Sequence, residues 1–117
     1  MYPKTIMIDI DGTIFKHHGA GIIGQVANIP VLLDGVLDKF NEWAANNYTV
    51  VLITGRPEAY RELTVKQLQR YHIPYTTLIM GLPRGDRVVV NDSKTGDDTT
   101  AHGITVKRNK GIRDIEA

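Results

Sequence analysis

One stretch near the start of the chain, Thr5 to Phe15, constrains the fold more than any other. It reads TIMIDIDGTIF, an apolar and β-branched run that ends in two carboxylates one residue apart, followed by glycine and threonine. This pattern predicts a buried β-strand that carries an acidic cluster at its C-terminal end. Because open α/β sheets keep their ligand sites at that edge, we expect a functional site at Asp9 and Asp11.

The two aspartates are expected to share one face of the chain, since side chains alternate along a strand. Two like charges in one place are costly unless a cation or a proton joins them, and a divalent metal is the simplest remedy. We therefore predict a metal at Asp9 and Asp11. Gly12 permits a tight turn and a close approach of the backbone to a ligand, and the Thr13 hydroxyl can brace that loop. A surface turn that merely closes a strand is the alternative.

Length and charge limit the classes of function. The chain has 117 residues, a net charge of +1 and no cysteine. This length predicts one domain over residues 1–117, too short for a catalytic domain with a separate cap domain. The charge gives no general attraction to nucleic acid or membranes, and no apolar run approaches the length of a membrane span. We therefore expect a cytoplasmic protein without a membrane partner, and nucleic acid is not an expected partner.

A helix and a second strand are predicted after the first strand. Apolar residues recur at helical spacing after Asp34, a good N-cap residue, and this pattern predicts a helix that runs through Asn47. The continuous apolar run over residues 48–53 predicts a strand of the kind that is buried on both faces in a parallel sheet.

The second strand ends at Thr54-Gly55-Arg56-Pro57. Proline suits the first turn of a helix, so residues 58–71 are predicted to be helical, with Leu63 and Leu68 on the inner face. Gly55 and the start of this helix would present backbone N–H groups to an anion. A second strand therefore also delivers polar groups to a turn.

Three further strands are predicted, over residues 75–80, 87–90 and 103–106. The middle one ends in Asn91-Asp92-Ser93-Lys94, so polar side chains again follow a strand. Strands that alternate with helices, each ending in polar groups, predict a three-layer α/β/α Rossmann-like domain around a mainly parallel sheet.

The ordered set of Asp9-Ile10-Asp11-Gly12-Thr13, Thr54 and Asp92 resembles the motifs of the haloacid dehalogenase-like (HAD) phosphatases. The resemblance implies that Asp9 is the nucleophile, that Asp11 is the general acid and base, and that Thr54 bonds the transferring phosphoryl group. It also implies a Mg²⁺ held by the Asp9 carboxylate, the Asp11 backbone carbonyl and Asp92, and a strand order of 5-4-1-2-3. The expected type is the small one that lacks a cap.

Two positions depart from the family pattern. Asn91 stands where the commonest form has an aspartate, so either Asn91 or Asp92 is the last metal ligand. Many relatives have Gly-Lys-Pro where this chain reads Gly81-Leu82-Pro83-Arg84. A cation is needed to offset phosphate charge, so Arg84 and Lys94 are the first candidates, with Lys66 and Arg87 behind them. The resemblance and the local chemistry together predict substrate contacts at four positions, Gly12, Thr13, Gly55 and Arg56.

Residues 16–33 are predicted to form a flap, either a loop or a β-hairpin, over the site. Three glycines and a proline divide the segment too finely for a long helix, yet it carries many aliphatic side chains. Because large exposed apolar patches mark interfaces, Ile22 and Ile23 predict a homo-oligomer in which these flaps pack together. The alternative is a flap that folds back on its own domain. His17 and His18 are expected to be loop residues or substrate contacts rather than metal ligands.

Three functions agree with these residues. The first is a Mg²⁺-dependent phosphomonoesterase that acts through an aspartyl-phosphate on a small phosphorylated metabolite, such as a sugar phosphate. The second is a nucleotide or polynucleotide 3′-phosphatase, although phosphate contacts along a nucleic acid need clustered Lys and Arg. The third is a domain that binds a phosphorylated ligand without turning it over.

Overall fold

A parallel three-stranded sheet organises the chain, whose computed structural model describes residues 2–19 and 21–117. The strands are β1 (Thr5–Asp9), β2 (Thr49–Ile53) and β3 (Thr77–Ile79), joined in the order β1-β2-β3. Asp9 pairs with Ile53, so β1 and β2 end level with each other. The first three predicted strands are confirmed, and β2 is the central one.

Three α-helices lie beside the sheet in the described ranges: α1 (Gly21–Ala27), α2 (Val36–Ala45) and α3 (Arg61–Arg70), with a 3₁₀ turn at Glu58–Tyr60. α2 buries Val36, Phe40 and Trp43, and the rings of Phe40 and Trp43 lie 5.1 Å apart between centroids. No helix of the described residues is long and apolar enough to cross a membrane. Parallel strands with helices between them agree with the predicted Rossmann-like class.

α3 turns a mostly polar face inward. Its buried residues are Thr64, Gln67 and Leu68, whereas Leu63 is 45% exposed. The prediction for Leu68 is confirmed and that for Leu63 is wrong. Residues 64, 67 and 68 follow the spacing of one helix face, and residue 63 falls beside that face. The inward polar groups have a partner, which is described with the site.

Asp34 does not cap α2, contrary to the prediction. The N-cap is Gly35, with φ of 79°, and no side chain caps the helix. The Asp34 carboxylate instead accepts hydrogen bonds from Arg113 Nε at 3.0 Å, and this guanidinium lowers the pKa of Asp34. The reason is that the tail returns here: Ile112 is buried, and a Cβ on Gly35 would lie 2.4 Å from the Arg113 Cα. Close tail packing therefore sets the start of α2.

The fourth and fifth predicted strands are not formed. Residues 87–90 and 103–106 have no regular secondary structure, and Val88 and Val90 are 83% and 91% exposed. A strand needs a neighbour for its backbone N–H and C=O groups, and neither segment pairs with the sheet. Of the five strands in the expected order, only β1, β2 and β3 are present among the described residues, and β1 and β3 are the edges of the sheet.

Residues 16–33, hereafter the cover segment, contain a helix where a loop or hairpin was predicted. Its two ends do run antiparallel, because Lys16 N–H donates to the Val31 carbonyl at 2.9 Å and Phe15 bridges Leu32. Between them lies α1; Ala20 is outside the described residues. Gln25 is buried and donates to the Lys16 carbonyl at 2.8 Å. This bond within the cover segment supports a helix that the glycine-rich sequence does not predict.

Candidate functional site

The level ends of β1 and β2 bring predicted site residues that follow both strands to one cleft. Its volume is about 470 Å³, and the sheet edge contributes Asp9, Asp11, Thr54, Gly55 and Arg56 to its lining. The cover segment contributes His17, Gly21, Ile22 and Gln25 to the same lining. Because parallel strands with adjacent ends bring their following residues together, the sequence separation of 45 between Asp11 and Arg56 is closed here.

Asp9 is an accessible carboxyl group whose pKa is raised above its ordinary value. The residue is exposed to the cleft, yet the surrounding protein removes part of its hydration, and this burial raises its pKa. The Ile10 backbone N–H opposes that rise, Asp11 adds to it, and Arg87 and Arg108 oppose it. A carboxylate with incomplete solvation and nearby cations is suited to attack an electrophile that carries negative charge.

Asp11 and Arg56 form a buried, bidentate ion pair. Arg56 Nε donates to Asp11 Oδ2 at 2.8 Å and Nη2 donates to Oδ1 at 2.7 Å. The Arg56 side chain is 0% exposed and that of Asp11 is 16% exposed. A guanidinium therefore neutralises Asp11, the role that the sequence assigned to a metal. Arg56, predicted as a substrate contact, is placed behind Asp11.

The third nitrogen of the Arg56 guanidinium is held by α3. Nη1 donates to Thr64 Oγ1 at 3.1 Å and to Gln67 Oε1 at 2.7 Å. These two contacts explain the polar inner face of α3, because a buried guanidinium needs acceptors for all its N–H groups. The sequence signal for them was weak: a Thr and a Gln at helical spacing in a mostly polar helix.

Thr54 lies at the end of β2 and is 1% exposed. Its hydroxyl oxygen accepts the Arg56 backbone N–H at 3.1 Å, and its own backbone N–H donates to the Ile79 carbonyl at 3.0 Å. The hydroxyl hydrogen can still donate, since a hydroxyl both donates and accepts. Thr54 and Gly55 therefore line the same cleft as Asp9. The sequence predicted that these residues lie near one another.

Gly12 and Thr13 build the loop after β1 but are not among the residues that line the cleft. Gly12 has φ of 90°, and an added Cβ would lie 3.1 Å from Arg108 Cγ. Thr13 N–H donates to the Ile10 carbonyl at 3.2 Å. The glycine thus provides room for an arginine from the tail, where the sequence predicted room for a ligand.

Besides Arg56, three arginines line the cleft: Arg84, Arg87 and Arg108. Within the described chain none of them forms an ion pair with a carboxylate. Lys94, an equal candidate in the sequence, pairs with Asp92 outside the cleft, and Lys66 pairs with Glu62 on α3. The cleft therefore presents unpaired guanidinium groups around one accessible carboxylate.

Arg108 is the residue that sequence reasoning missed. The neighbouring Asn109 fixes it: its backbone N–H donates to the Gly12 carbonyl at 2.8 Å, and its side chain exchanges bonds of 2.7 and 3.1 Å with the His17 backbone. Asn109 has φ of 64°, a conformation that asparagine adopts more readily than most residues. The available signal was the run of Lys107, Arg108 and Lys110 in the tail.

The metal donors that the resemblance implies are the Asp9 carboxylate, the Asp11 backbone carbonyl and Asp92, and of these residues Asp9 and Asp11 line the cleft. Asp92 and Asn91 do not line the cleft, and Asp92 is exposed beside Lys94. Among residues 2–19 and 21–117 no three His, Cys, Asp or Glu side chains are placed to hold a metal together. Mg²⁺ keeps several waters and needs only one or two carboxylates beside a substrate phosphate. A Mg²⁺ at this edge would therefore have only the Asp9 carboxylate from the cleft lining free of an ion pair among the described residues, and would need waters and a substrate phosphate as further ligands.

The apolar side chains of the cover segment divide between cleft and solvent. Ile22 lines the cleft, whereas Ile23, Ile29 and Val31 are 70%, 67% and 46% exposed. The predicted homo-oligomer stays a prediction. Light scattering should test it with a substitution at Ile23 rather than at Ile22, because Ile23 does not line the cleft.

Comparisons with known proteins find likeness in solved structures. No protein-family model matches the chain, and no curated protein sequence matches it. A chain of the Pnkp1/Rnl/Hen1 complex is 31% identical, with a TM-score of 0.61 over 74% of this chain and 30% of that chain. A chain of the Pnkp1/Rnl/Hen1 RNA repair complex is 32% identical, with a TM-score of 0.59 over 67% and 25%.

A third similar structure, of a target protein from Vibrio cholerae, is 17% identical with a TM-score of 0.56, and the match covers 75% of this chain and 79% of that one. At that identity the likeness concerns the fold alone. The present chain spans 30% and 25% of the two RNA repair complex chains. The α/β fold is therefore shared with these proteins over most of this chain.

Proposed function

We propose that this chain is a phosphomonoesterase of the HAD type that works through an aspartyl-phosphate. The observation that carries the proposal is the cleft itself, in which an exposed Asp9 faces unpaired arginines while Asp11 is oriented by Arg56. Carboxylate nucleophile, oriented second carboxylate and surplus positive charge are the groups that phosphoryl transfer requires. The likeness to chains of an RNA repair complex supports the same class of chemistry.

The first half-reaction starts with a proton on Asp11; it forms a bond between an Asp9 oxygen and phosphorus and breaks the bond to the leaving oxygen, which takes that proton. In the second, a water oxygen attacks phosphorus, its proton passes to Asp11, and the bond to Asp9 breaks to release phosphate. Each Asp11 oxygen that accepts from Arg56 keeps another lone pair for this proton. Thr54 and the arginines bind the phosphoryl oxygens.

Mg²⁺, held by the Asp9 carboxylate, the Asp11 carbonyl, waters and the substrate phosphate, would supply neutralisation of charge at the phosphoryl group. We expect Mg²⁺ to raise the melting temperature by a few degrees, since a ligand of the folded state stabilises it by mass action. Asp9→Asn should remove most of that gain. Differential scanning fluorimetry over a Mg²⁺ titration measures both.

Asp92→Ala separates two arrangements of the metal ligands in the same titration. A wild-type response is expected from the structure, because Asp92 lies outside the cleft beside Lys94. Loss of the response would instead show that Asp92 closes onto Asp9 as the sequence predicted.

The proposed function is tested by phosphate release from a panel of substrates with Mg²⁺ present. The panel contains p-nitrophenyl phosphate, sugar phosphates, nucleotides and 3′-phosphorylated oligonucleotides. We expect stoichiometric release of phosphate from at least one class. If these compounds bind but no phosphate is released at high enzyme concentration, the proposed phosphatase activity is refuted. A domain that only binds a phosphorylated ligand would then be favoured.

A phosphatase for polynucleotide 3′ ends is the second candidate, and the three unpaired arginines favour it. A small monoester offers one phosphate, whereas a nucleic-acid end offers further phosphates to additional guanidinium groups. The two similar chains of 31% and 32% identity come from a complex described as one of RNA repair. Our expectation of no nucleic-acid partner rests on the net charge of +1, while the cleft is locally basic.

Arg84→Ala discriminates between the two substrate classes, because Arg84 lines the cleft but is not among the charges that act on Asp9. For a 3′-phosphorylated oligonucleotide we expect kcat/KM to fall about tenfold, the usual effect of a lost charge-assisted hydrogen bond. For p-nitrophenyl phosphate it should change little. Arg70→Ala, at the end of α3 outside the cleft, is the control. Equal effects of Arg84→Ala on both substrates would favour the small metabolite.

A further inference from the structure

We infer that Gln67 is a positioning residue that couples the cover segment to Asp11. This inference rests on the proposed function of the cleft. The residue is buried in α3, 8% exposed, and its two amide ends have different partners. Its Oε1 accepts from Arg56 Nη1 at 2.7 Å. Its Nε2 points to the carbonyls of Gln25, Val26 and Asn28 at 3.5, 3.3 and 3.4 Å.

The orientation of this amide is determined by its neighbours. Arg56 only donates hydrogen bonds and backbone carbonyls only accept them, so the oxygen must face Arg56 and the nitrogen must face α1. The carbonyls of Gln25 and Val26 belong to the last turn of α1, where a helix leaves acceptors without intrahelical partners. Gln67 therefore satisfies the end of α1 with one end of its amide and the buried guanidinium with the other.

α3 holds the cover segment at a second point as well. The Tyr71 hydroxyl, one turn after Gln67, donates to the Pro30 carbonyl. Tyr71 also packs its ring 5.9 Å from that of Phe15, between centroids. The wall of the cleft that α1 provides is thus fastened to α3, and α3 is the element that orients Arg56.

The consequence is that enclosure of a substrate by α1 is linked to the orientation of Asp11, the proposed general acid and base. A substrate in the cleft would meet α1 at lining residues such as Ile22, while Asp11, in the same lining, is held by Arg56. When α1 sits against Gln67, the amide is also held in place to accept from Arg56. A displaced α1 would release the amide, and Asp11 would lose part of its support.

The test compares three substitutions in the full chain by kinetics and by hydrogen exchange of the α1 amides. Gln67→Met removes both ends of the amide at similar volume, so kcat should fall and α1 exchange should accelerate, each about tenfold. Thr64→Val removes only an acceptor of Arg56, so kcat should fall while α1 exchange stays as in wild type. Gln69→Met, an exposed glutamine of the same helix, should change neither.

Gln67→Glu keeps an oxygen for Arg56 and removes the donor to α1, so it tests the cover contact if Gln67→Met fails to fold. It should accelerate α1 exchange and raise KM. Wild-type α1 exchange in this folded variant, or an unchanged kcat in Gln67→Met, would overturn the coupling. Exchange needs no substrate. Absence of phosphate release from wild type would therefore refute the proposed function, while the contact of Gln67 with α1 would still be decided.

Discussion

We expect Asp9→Asn to lower turnover by about 10⁴-fold or more, the scale on which loss of a nucleophile acts. The amide keeps the shape of the side chain but cannot form the acyl-phosphate bond. The fold should survive, because partial burial raises the pKa of Asp9 and so penalises its charged form at neutral pH. Single-turnover phosphate release measures the loss, and thermal unfolding measures the fold.

Asp97→Asn provides the matched control for this substitution. Asp97 is exposed in the segment after residue 94 and does not line the cleft. Its variant should retain wild-type turnover. Activity of Asp9→Asn within about tenfold of wild type would refute covalent catalysis by Asp9, since other groups cannot replace a nucleophile so nearly.

Arg56→Met should have the largest effect on stability, a loss of about 3 kcal/mol in the free energy of unfolding, as expected when one partner of a buried ion pair is removed. Asp11 would keep a charge with little water around it, since its side chain is 16% exposed. Thr64 and Gln67 would also lose the donor that satisfies them. Turnover should fall as well, because Asp11 loses its orientation. Urea unfolding and kinetics measure the two effects.

Arg61→Met is the control for the ion pair. Arg61 makes an equally short bidentate pair with Glu58, but both side chains are exposed, so solvent screens the pair and the change in stability should be far smaller. The double variant Asp11→Asn with Arg56→Met should lose less stability than the two single variants together, because neither charge is then left alone. Full additivity in this cycle would show that the pair does not act as a unit.

Local sequence was sufficient for the regions of the fold in which neighbouring residues decide the structure. β1, β2 and β3 were predicted because β-branched runs bounded by turn residues form strands with little help from elsewhere. The polar groups after β1 and β2 were predicted to meet at one edge, and in the structure Asp9, Thr54 and Gly55 line one cleft there. The right-handed connection of parallel strands makes this outcome nearly independent of side-chain detail.

Tertiary contacts decided what no local pattern contains. Arg56 looked like a turn residue in the sequence, and only the fold, which closes a sequence separation of 45, made it the partner of Asp11. Arg108 belongs to a tail whose return over Gly12 depends on the Asn109 bonds.

The same distinction between local sequence and tertiary contacts holds for α1 and for the strand that was predicted over residues 87–90. α1 forms despite its glycines because Gln25 ties it to the Lys16 carbonyl and Gln67 donates to a carbonyl of its last turn. Residues 87–90 have the composition of a strand, but a strand requires a neighbouring backbone, and in the described structure they lie apart from the sheet. Propensity is a property of a few adjacent residues, whereas partners for buried charges and backbone groups come from distant regions of the chain, so only the folded arrangement can supply them.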